Sequence, residues 1–335
     1  MKAMDLFSGC GGLSQGLLRA GFTVVGAVEV EPLAAETYRM NHKKTRVWET
    51  DIRNLDPARM MTELNLKAGE LDLLAGCPPC QGFSSMRTLN GGKDIKDPVN
   101  DLVFEFLRFV ETFLPKALMM ENVPGLATDR RFNRLAKELQ ALGYSINWDI
   151  VDVADYGVPQ RRRRFILIGG FQQSIPIVPG NGRVRTVRQA IGSLPKPGVS
   201  GDPLHDLPEN RASKIQEMIS LIPKNGGGRK DLPTKFKLAC HKRCDGFNDV
   251  YGRMWWDRVA PTITGGCVNP SKGRFLHPDQ NRSITLREAA MLQSFPKRYR
   301  FSLRKGKFQA AQMIGNALPP KFIRIQACGI MKALL

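Results

Sequence analysis

Short apolar runs alternate with segments of helical spacing along the first half of the chain. Buried strands are predicted at five apolar runs, residues 3–7, 23–28, 71–75, 116–120 and 165–169. Residues 13–20 and 101–114 have helical periodicity. The second helix is expected to bury one apolar face made of Leu102, Phe106, Val110 and Phe113. Strands that alternate with helices predict an α/β fold built on an open, largely parallel sheet.

A glycine-rich loop follows the first run and precedes the first helix. Ser8-Gly9-Cys10-Gly11-Gly12 lets backbone N–H groups approach an anionic group at the start of that helix. Glu29 ends the next strand, where a carboxylate can bind ribose hydroxyls. Asp51 ends a third apolar segment and could hydrogen-bond an adenine amino group. NAD, FAD and S-adenosylmethionine sites all use versions of this arrangement, although the lack of Gly-x-Gly-x-x-Gly argues against a dinucleotide.

The run at residues 71–75 breaks into Cys77-Pro78-Pro79-Cys80 at its carboxyl end. The two prolines cannot continue a strand or a helix, so Cys80 stands on a stiff support at the edge where open α/β sheets bind ligands. Stiffness suits a nucleophile, because small misplacements of a reacting atom reduce the rate steeply. A buried cysteine is usually inert, but this context predicts a reactive thiol.

Charged side chains stand next to two further strands. Glu121 directly follows an apolar run, and a carboxylate beside an apolar wall can have a raised pKa and act as an acid. Four consecutive arginines precede another run, which is costly unless they meet anions or hydrogen-bond acceptors. Because alternate residues of an extended chain point the same way, Arg162 and Arg164 are expected on one face, and Arg161 and Arg163 on the other.

The formal net charge of +19 lies almost entirely in the second half of the chain. Residues 1–170 carry 22 Lys and Arg against 21 Asp and Glu, whereas residues 171–335 carry 28 against 10. This segregation predicts a surface for a polyanion, and the lack of a membrane signal makes nucleic acid the favoured one. Within the basic half, Trp255 and Trp256 are interpreted as core rather than as stacking platforms.

Composition argues against several other classes of protein. No segment reaches the length of a membrane span and the amino terminus has no signal-peptide pattern, so a cytoplasmic, nucleoid-associated protein is expected. Seven cysteines without a secretory signal favour reduced thiols. One alternative is a zinc site made of Cys77, Cys80, Cys240, His241 and Cys244. A metal at Cys80 would remove the proposed nucleophile, so neither a metal nor a redox Cys-x-x-Cys is predicted.

Six segments taken together resemble the cytosine-C5 DNA methyltransferase family. In chain order they are Asp5-Leu6-Phe7-Ser8-Gly9, Pro78-Pro79-Cys80-Gln81, Glu121-Asn122-Val123, Gln160-x-Arg162-x-Arg164, residues 282–296 and Gly315-Asn316-Ala317-Leu318-Pro319-Pro320. They occur in the family's order and cover residues 1–170 and about 255–325. One departure is Val99, which stands where the family usually has an arginine.

The resemblance implies an α/β fold with a doubly wound, Rossmann-like, S-adenosylmethionine-dependent methyltransferase domain and a second, smaller target recognition domain. Residues 1–182 and 305–335 would form the discontinuous catalytic and cofactor-binding domain, with the carboxyl-terminal helix beside the first strand. Residues 183–304 would form the recognition domain and hinge. The implied enzyme is a DNA (cytosine-5-)-methyltransferase. It would transfer a methyl group from S-adenosylmethionine to carbon-5 of a flipped-out cytosine in a specific duplex sequence, through a covalent Cys80 adduct.

The resemblance also assigns roles to single residues. Cys80 would attack carbon-6 of the base, and Glu121 would protonate or hydrogen-bond ring nitrogen 3. Arg164 would hold the base carbonyl, and Arg162 would contact a phosphate or a mobile lid formed by residues 87–98. Cofactor contacts are expected at Phe7, Gly9, Cys10, Gly12, Glu29, Val30, Asp51, Ile52, Pro79 and Asn316. DNA contacts are expected at Gln81, Ser84, Gln160, Arg229, Lys230 and Arg243.

Double-stranded DNA is the expected partner, the chain is expected to be monomeric, and a restriction endonuclease is a candidate functional partner. A tRNA cytosine-C5 methyltransferase would share the catalytic motifs, but such relatives usually lack so long and basic a recognition domain. Intact Cys80, Glu121, Arg162 and Arg164 argue against an inactive DNA-binding regulator. A nucleotide-dependent oxidoreductase fits the amino-terminal half and leaves the basic half unexplained.

Overall fold

The computed structural model describes residues 1–79, 101–236 and 248–335. The chain divides into two units. The first comprises Met1–Tyr156, Arg163–Asn181 and Leu318–Leu335, and the second comprises Gly157–Arg162 and Gly182–Ala317. The division predicted from sequence differs from this one at three places: residues 157–162, residue 182 and residues 305–317 belong to the second unit.

A seven-stranded sheet forms the centre of the first unit. Its strands are β1 (Lys2–Leu6), β2 (Thr23–Glu29), β3 (Arg46–Glu49), β4 (Leu73–Gly76), β5 (Ala117–Asn122), β6 (Tyr144–Asp152) and β7 (Arg163–Phe171). Their order is β3-β2-β1-β4-β5-β7-β6. β7 pairs antiparallel with β5 and β6, whereas the pairs from β3 to β5 are parallel. The order reverses between β1 and β4, and such a switch point is where open α/β sheets bind ligands.

Helices alternate with the strands, as the α/β prediction requires. They are α1 (Gly12–Ala20), α2 (Pro32–Asn41), α3 (Pro57–Glu63), α4 (Leu102–Phe113), α5 (Arg130–Ala141), α6 (Val187–Ile191), α7 (Ser213–Leu221), α8 (Leu286–Leu292), α9 (Gly306–Asn316) and α10 (Pro320–Leu334). Helices α6 to α9 belong to the second unit and the others to the first. The α/β fold class predicted from the apolar pattern is confirmed.

The core of the first unit lies against the central strands. All six residues of β5 are buried, including two polar ones at its carboxyl end. Helix α4 buries Phe106, Val110 and Phe113 against this core, as its periodicity predicted. Leu102 is only partly buried because it is the first residue of the helix. Phe109, which the predicted face omitted, is fully buried.

The carboxyl-terminal segment forms two helices rather than the one predicted. Pro319 and Pro320 separate α9 from α10, because proline cannot continue a helix that precedes it. Helix α10 packs on α1 rather than directly beside the first strand. The two helices approach closely at Gly16, where an added Cβ would lie 2.5 Å from the Cβ of Ile323. Glycine is therefore required at this crossing for steric reasons.

Arg253 organises the core of the second unit. Its side chain is fully buried, and its guanidinium donates hydrogen bonds to the carbonyls of Ile222, His277 and Ile219 at 3.0, 3.0 and 2.8 Å. A buried charge is tolerated when its hydrogen bonds are satisfied. Arg253 thus ties the end of helix α7 to the segment that follows Leu276.

Helix α8 begins inside the predicted motif at residues 282–296. The Thr285 hydroxyl caps the helix by accepting a hydrogen bond from the Glu288 amide. The Glu288 carboxylate in turn accepts a hydrogen bond from the Thr285 amide at 2.7 Å, which completes a capping box. The buried Glu288 carboxylate also pairs with Arg282 at 2.7 Å. Hydrogen bonds and charge from Arg282 keep the pKa of Glu288 below its ordinary value although burial opposes this. The motif therefore has a structural explanation within its own unit.

We expect Gly16→Ala to destabilise the protein. Alanine favours an isolated helix by about 1 kcal/mol over glycine, so a loss of stability here would have to come from the clash with Ile323. Overpacking of this kind typically costs about 1–3 kcal/mol. Chemical denaturation would measure the change, with Arg19→Ala on the exposed face of the same helix as control. A Gly16→Ala protein as stable as the control would contradict the close packing.

Candidate active site and nucleic-acid interface

The loop between β1 and α1 is held in an unusual backbone conformation. Phe7, Gly9 and Gly11 have φ angles of 61°, 54° and 90°, and α1 starts at Gly12. Positive φ is permitted to glycine, but at Phe7 it is strained, and strained residues concentrate at functional sites. The predicted strand, glycine loop and helix are therefore all present, and the loop leaves backbone N–H groups at the start of a helix.

Asp5 of strand β1 holds the first turn of helix α1 in place through Ser14, a role that was not predicted from the sequence. Its buried carboxylate accepts hydrogen bonds from the Ser14 amide at 3.1 Å and the Ser14 hydroxyl at 2.6 Å. The Ser14 hydroxyl also lies 2.6 Å from the Tyr38 hydroxyl. Burial raises the pKa of Asp5 to about 7, against hydrogen bonds from Ser14 that lower it. An Asp inside an otherwise apolar strand was the available signal.

Glu29 reaches back to the glycine loop from the end of β2. Its carboxylate accepts hydrogen bonds from the Gly9 amide at 2.7 Å and from the Glu31 amide at 2.9 Å. Burial raises the pKa of Glu29, and these amides oppose the shift. Cys10 is buried beside it, and burial raises the pKa of its thiol to about 12, so this thiol is neutral. Val30, directly after Glu29, is 60% exposed.

Asp51 and Ile52 follow β3 at the same edge of the sheet. The parallel register pairs Glu29 with Glu49, so the residues that follow β2 and β3 leave the sheet together. Asp51 caps the short turn Ile52–Asn54 and hydrogen-bonds Arg53, which lowers the pKa of the Asp51 carboxyl to about 2. Ile52 is buried. The positions predicted at the ends of the first three strands thus lie along one edge.

Strands β4 and β5 bring the next predicted residues to this edge. Gly76 lies opposite Met120, and an added Cβ at Gly76 would lie 2.9 Å from the Leu6 carbonyl, so β4 packs tightly on β1. The Asn122 side chain donates to the Pro78 carbonyl at 3.1 Å, which ties the proline segment to β5. Pro79 is the last described residue before the gap. Cys80, Gln81 and Ser84 lie outside the described residues.

Glu121 and Arg164 form an ion pair at the carboxyl end of β5. Arg164 Nε lies 2.7 Å from Glu121 Oε1, and the two side chains are 16% and 9% exposed. A carboxylate and a guanidinium that are both largely removed from water interact strongly and hold one another in place. Of the predicted catalytic residues, these two are brought together by the described structure.

The burial pattern of the four arginines confirms the predicted alternation. Arg161 and Arg163 are exposed, Arg162 is buried and Arg164 is half-buried. Arg162 donates to the carbonyls of Ile263 at 3.0 Å and Gly315 at 2.9 Å, all within the second unit. These contacts give Arg162 a structural role within the second unit, and the phosphate or lid contact expected from sequence stays a prediction.

Gln160 is fully buried in the second unit, although DNA contact was expected for it. Its amide oxygen accepts from the Ile263 amide at 2.9 Å, and its amide nitrogen donates to Gln293. Gly315 packs against Thr264 so closely that an added Cβ would lie 2.1 Å from its carbonyl carbon. Gln160 therefore helps to position residues 263–264. Asn316, an expected cofactor contact, ends helix α9 in this unit.

Trp255 and Trp256, which were interpreted as core, are half-buried, and both indoles contact guanidiniums of the second unit. Trp255 lies between the guanidiniums of Arg258 and Arg274, at 4.7 and 4.3 Å from its ring. Arg188 stacks on Trp256 at 5.2 Å. Guanidiniums stack well on indoles because the ring face carries partial negative charge.

A cavity of about 470 Å³ adjoins Trp255. Its lining includes Arg161, Arg258, Arg274 and Asp249, and Arg274 pairs with Asp249 at 2.9 Å. Arg229 is largely buried and bonds Asn248, whereas Lys230 is exposed. Three guanidiniums against one carboxylate give the lining of this cavity an excess of positive charge.

Several sequence expectations cannot be placed on the structure. Arg243 and the lid interpreted at residues 87–98 lie outside the described residues, as do Cys80, Cys240, His241 and Cys244 of the zinc alternative. Within the described ranges, no helix is long and apolar enough to cross a bilayer.

A family model of C-5 cytosine-specific DNA methylases matches residues 1–332 of the chain. The Type II methylase M.HgiDII of Herpetosiphon aurantiacus is 37% identical over 349 residues, which cover 99% of this chain and 95% of that protein. The Type II methyltransferase M1.HphI of Haemophilus parahaemolyticus is 34% identical over 337 residues, covering 98% of this chain and 86% of that protein.

Solved structures agree with this assignment. A structure described as a DNA modification methyltransferase encoded within an E. coli prophage superposes with a TM-score of 0.73 at 25% identity, covering 100% of this chain and 99% of that one. Spodoptera frugiperda DNMT2 superposes with a TM-score of 0.63 at 18% identity, covering 98% and 99%, and this likeness concerns the fold alone.

The sheet order and the residues at its edge therefore define a Rossmann-like methyltransferase fold, as predicted. The chain belongs to the C-5 cytosine-specific DNA methylase family. The predicted enzyme class, a DNA (cytosine-5-)-methyltransferase, is confirmed, and the tRNA alternative is not favoured.

We expect Asp5→Asn to change how stability depends on pH. The folded-state pKa of Asp5 is about 7 against 3.8 for an unperturbed carboxyl, so the folded protein binds more protons between these values. Stability from Asp5 is therefore present below pH 4 and falls as the pH rises toward 7. The variant should lack this decline when thermal unfolding is followed from pH 4 to 7.

Asp51→Asn is the matched control for that measurement. The pKa of Asp51 is lowered to about 2, so its contribution changes only below pH 4 and the slope from pH 5 to 7 should match wild type. If the stability of Asp5→Asn and of wild type changed equally with pH between pH 5 and 7, the raised pKa of Asp5 would be wrong.

Proposed function

We propose that this chain transfers a methyl group from S-adenosylmethionine to carbon-5 of a cytosine flipped out of a specific duplex sequence, through a covalent Cys80 adduct. The observation that carries the proposal is the Glu121–Arg164 ion pair, at 2.7 Å, next to strand β4, which leads into Cys77-Pro78-Pro79. Glu121, Arg164 and the proline segment that follows β4 therefore lie at the same edge of the sheet as the glycine loop.

The thiol and the acid have complementary tasks on a cytosine ring. Carbon-5 is a poor nucleophile until a thiolate adds to carbon-6, which makes carbon-5 carry the electron pair. Cys80 is the thiol that the motif assigns to this addition. Glu121 would hold a proton at ring nitrogen 3, so that the ring accepts electrons as the new bond forms. When the carbon-5 proton is later removed, the bond to Cys80 breaks and the thiolate is regenerated.

Arg164 would hold the carbonyl of the same base. Its Nε pairs with Glu121. Because the guanidinium is planar, this contact also fixes the directions in which its other N–H groups point. Its Nη1 donates a hydrogen bond to the neighbouring Arg163 carbonyl at 2.7 Å. A base carbonyl and nitrogen 3 are adjacent on cytosine, so two side chains in mutual contact can meet both.

The residues at the edge of β1, β2 and β3 fit S-adenosylmethionine. The loop at Gly9 has open space around its Cα, Glu29 and Asp51 supply carboxylates for hydroxyl and amino groups, and the exposed Val30 supplies an apolar surface. Phe7, Gly9, Cys10, Gly12, Glu29, Val30, Asp51, Ile52, Pro79 and Asn316 would hold it. When bound, it supplies the methyl group as an electrophile.

Duplex DNA is the proposed substrate of the second unit. A base within a duplex cannot reach a protein pocket, so the target must be flipped out at a cost of about a few kcal/mol. Exposed basic residues such as Lys230, with Arg161 and Arg258 of the cavity, would offset this cost by contacting DNA. We propose a monomer in the cytoplasm, associated with the nucleoid and paired with a restriction endonuclease, as Type II relatives suggest.

Two substitutions test the reaction. Cys80→Ser should abolish methyl transfer from labelled S-adenosylmethionine to duplex DNA while DNA binding persists, because a hydroxyl is a far weaker nucleophile than a thiolate. Glu121→Gln should lower turnover by roughly 10²–10⁴-fold with cofactor affinity unchanged. The same assay with tRNA in place of DNA should give no product. Normal turnover by Cys80→Ser would refute the covalent route.

Arg258→Gln tests the nucleic-acid interface. Removing a guanidinium that meets DNA should weaken binding and reduce the slope of log Kd against log salt by about 1. Filter binding from 50 to 200 mM salt would measure this, with Arg19→Gln on the first unit as an equal change of net charge. Identical slopes for the two variants would remove Arg258 from the interface.

A further inference from the structure

Two arginines stack on Trp255 in the second unit, and their surroundings differ. The Cζ atoms of Arg258 and Arg274 lie 4.7 and 4.3 Å from the centre of the indole ring. The indole is half-buried and packs closely on Gly226, where an added Cβ would lie 1.8 Å from Nε1 of the ring. Because close packing leaves the ring little freedom, its faces are fixed surfaces on which a guanidinium can stack.

Arg274 has a structural role in this arrangement. Its side chain is 13% exposed, and its Nε pairs with Asp249 at 2.9 Å. Its Nη1 donates hydrogen bonds to the carbonyls of Gly226 and Arg253, both at 2.9 Å. These acceptors lie in three separate segments, which Arg274 therefore holds together. The same ion pair neutralises Asp249, a carboxylate of the cavity lining.

Arg258 lines the same cavity but is exposed. Its backbone is held in place, because its carbonyl accepts a hydrogen bond from the Val187 amide at 2.9 Å. Within the described parts of the chain, its guanidinium makes no hydrogen bond or ion pair. Stacking uses the flat face of a guanidinium, whereas the N–H groups lie in its plane. The N–H groups of Arg258 are therefore available to an acceptor outside the protein.

The neighbouring indole has an arginine of the other kind. Arg188 stacks on Trp256 at 5.2 Å, but its Nε and Nη2 donate to the two carboxylate oxygens of Asp257 at 2.7 and 2.9 Å. A bidentate pair of this geometry neutralises the guanidinium and uses its donors. Of these two adjacent stacks, that of Arg258 thus retains its positive charge.

We propose that Trp255 is a positioning residue that holds the guanidinium of Arg258 for contact with a phosphate of the DNA backbone. The inference rests on the proposed function, in which the second unit binds duplex DNA, and it adds the residue that orders one phosphate contact. The planar fork of an arginine matches two phosphate oxygens. A long side chain loses rotamer freedom when it binds, and stacking on a fixed indole removes part of that cost beforehand.

Trp255→Leu and Arg258→Gln should weaken duplex binding in different ways. Without the stack, the guanidinium still reaches the phosphate but is less ordered, so Trp255→Leu should raise Kd about twofold to fivefold. The slope of log Kd against log salt should stay as in wild type, whereas Arg258→Gln reduces it. Trp255→Phe keeps an aromatic face and should restore most of the affinity. Filter binding of a duplex oligonucleotide measures both quantities, and equal losses of affinity in the leucine and phenylalanine variants would overturn the proposal.

Trp256→Leu and Arg188→Gln are the matched controls, because Asp257 already neutralises that stack. Both variants should have the wild-type Kd and slope. In an Arg258→Gln background, Trp255→Leu should have no further effect on Kd. An additive loss there would show that Trp255 contacts DNA by itself. A loss in Trp256→Leu as large as that in Trp255→Leu would show a general effect of packing, and either result would overturn the proposal.

Nuclear magnetic resonance of the protein without DNA separates this inference from the proposed function. The ring current of Trp255 should shift the Nε–H signal of Arg258 upfield, and this shift should be lost in Trp255→Leu. Arg258→Gln identifies the signal, and unfolding temperatures show that each variant folds. Added duplex should move the same signal downfield as the N–H group donates to phosphate. A signal insensitive to Trp255→Leu would overturn the inference and leave methyl transfer to DNA intact, whereas failure of the wild-type protein to bind duplex would overturn both.

Discussion

The ion pair between Glu121 and Arg164 depends on the direction of β7, which runs antiparallel to both of its neighbours in the sheet. β5 ends at the edge where β1 and β4 also end, whereas β7 begins there because it runs antiparallel to β5. A residue at the start of β7 can therefore meet a residue at the end of β5. Were β7 parallel, its arginines would lie at the opposite edge, and Glu121 would be a buried carboxylate without this cationic partner, which is strongly destabilising.

Buried carboxylates also shape the rest of this edge. Asp5 holds the first turn of α1 through Ser14, and Glu29 holds the Gly9 amide, so two acids constrain the loop from opposite ends. Both carry pKa values raised by burial, which shows that the fold accepts a desolvation cost to hold the loop in position. Such preorganisation is what a binding site needs, since less order must then be imposed by the ligand.

Local patterns predicted the strands that are buried on both faces. They did not predict segments that are exposed or whose contacts are with residues distant in the sequence. β6 was missed because it is an edge strand whose residues are mostly half-buried or exposed, so no apolar run marks it. Arg162 and Gln160 were recognised by motif, but their partner Ile263 is about a hundred residues away. No spacing in the sequence reveals such a contact. Similarly, Arg274 stacks on Trp255 from a separate segment of the chain, and no local pattern predicts that contact.

The Gln160-x-Arg162-x-Arg164 motif has two different physical functions within five residues. Gln160 and Arg162 are buried in the second unit, where each bonds Ile263, while Arg164 belongs to the first unit and pairs with Glu121. The unit boundary falls between residues 162 and 163. A motif that resembles a single catalytic element therefore contains two residues that organise the core of the second unit and one that pairs with the predicted acid of the first.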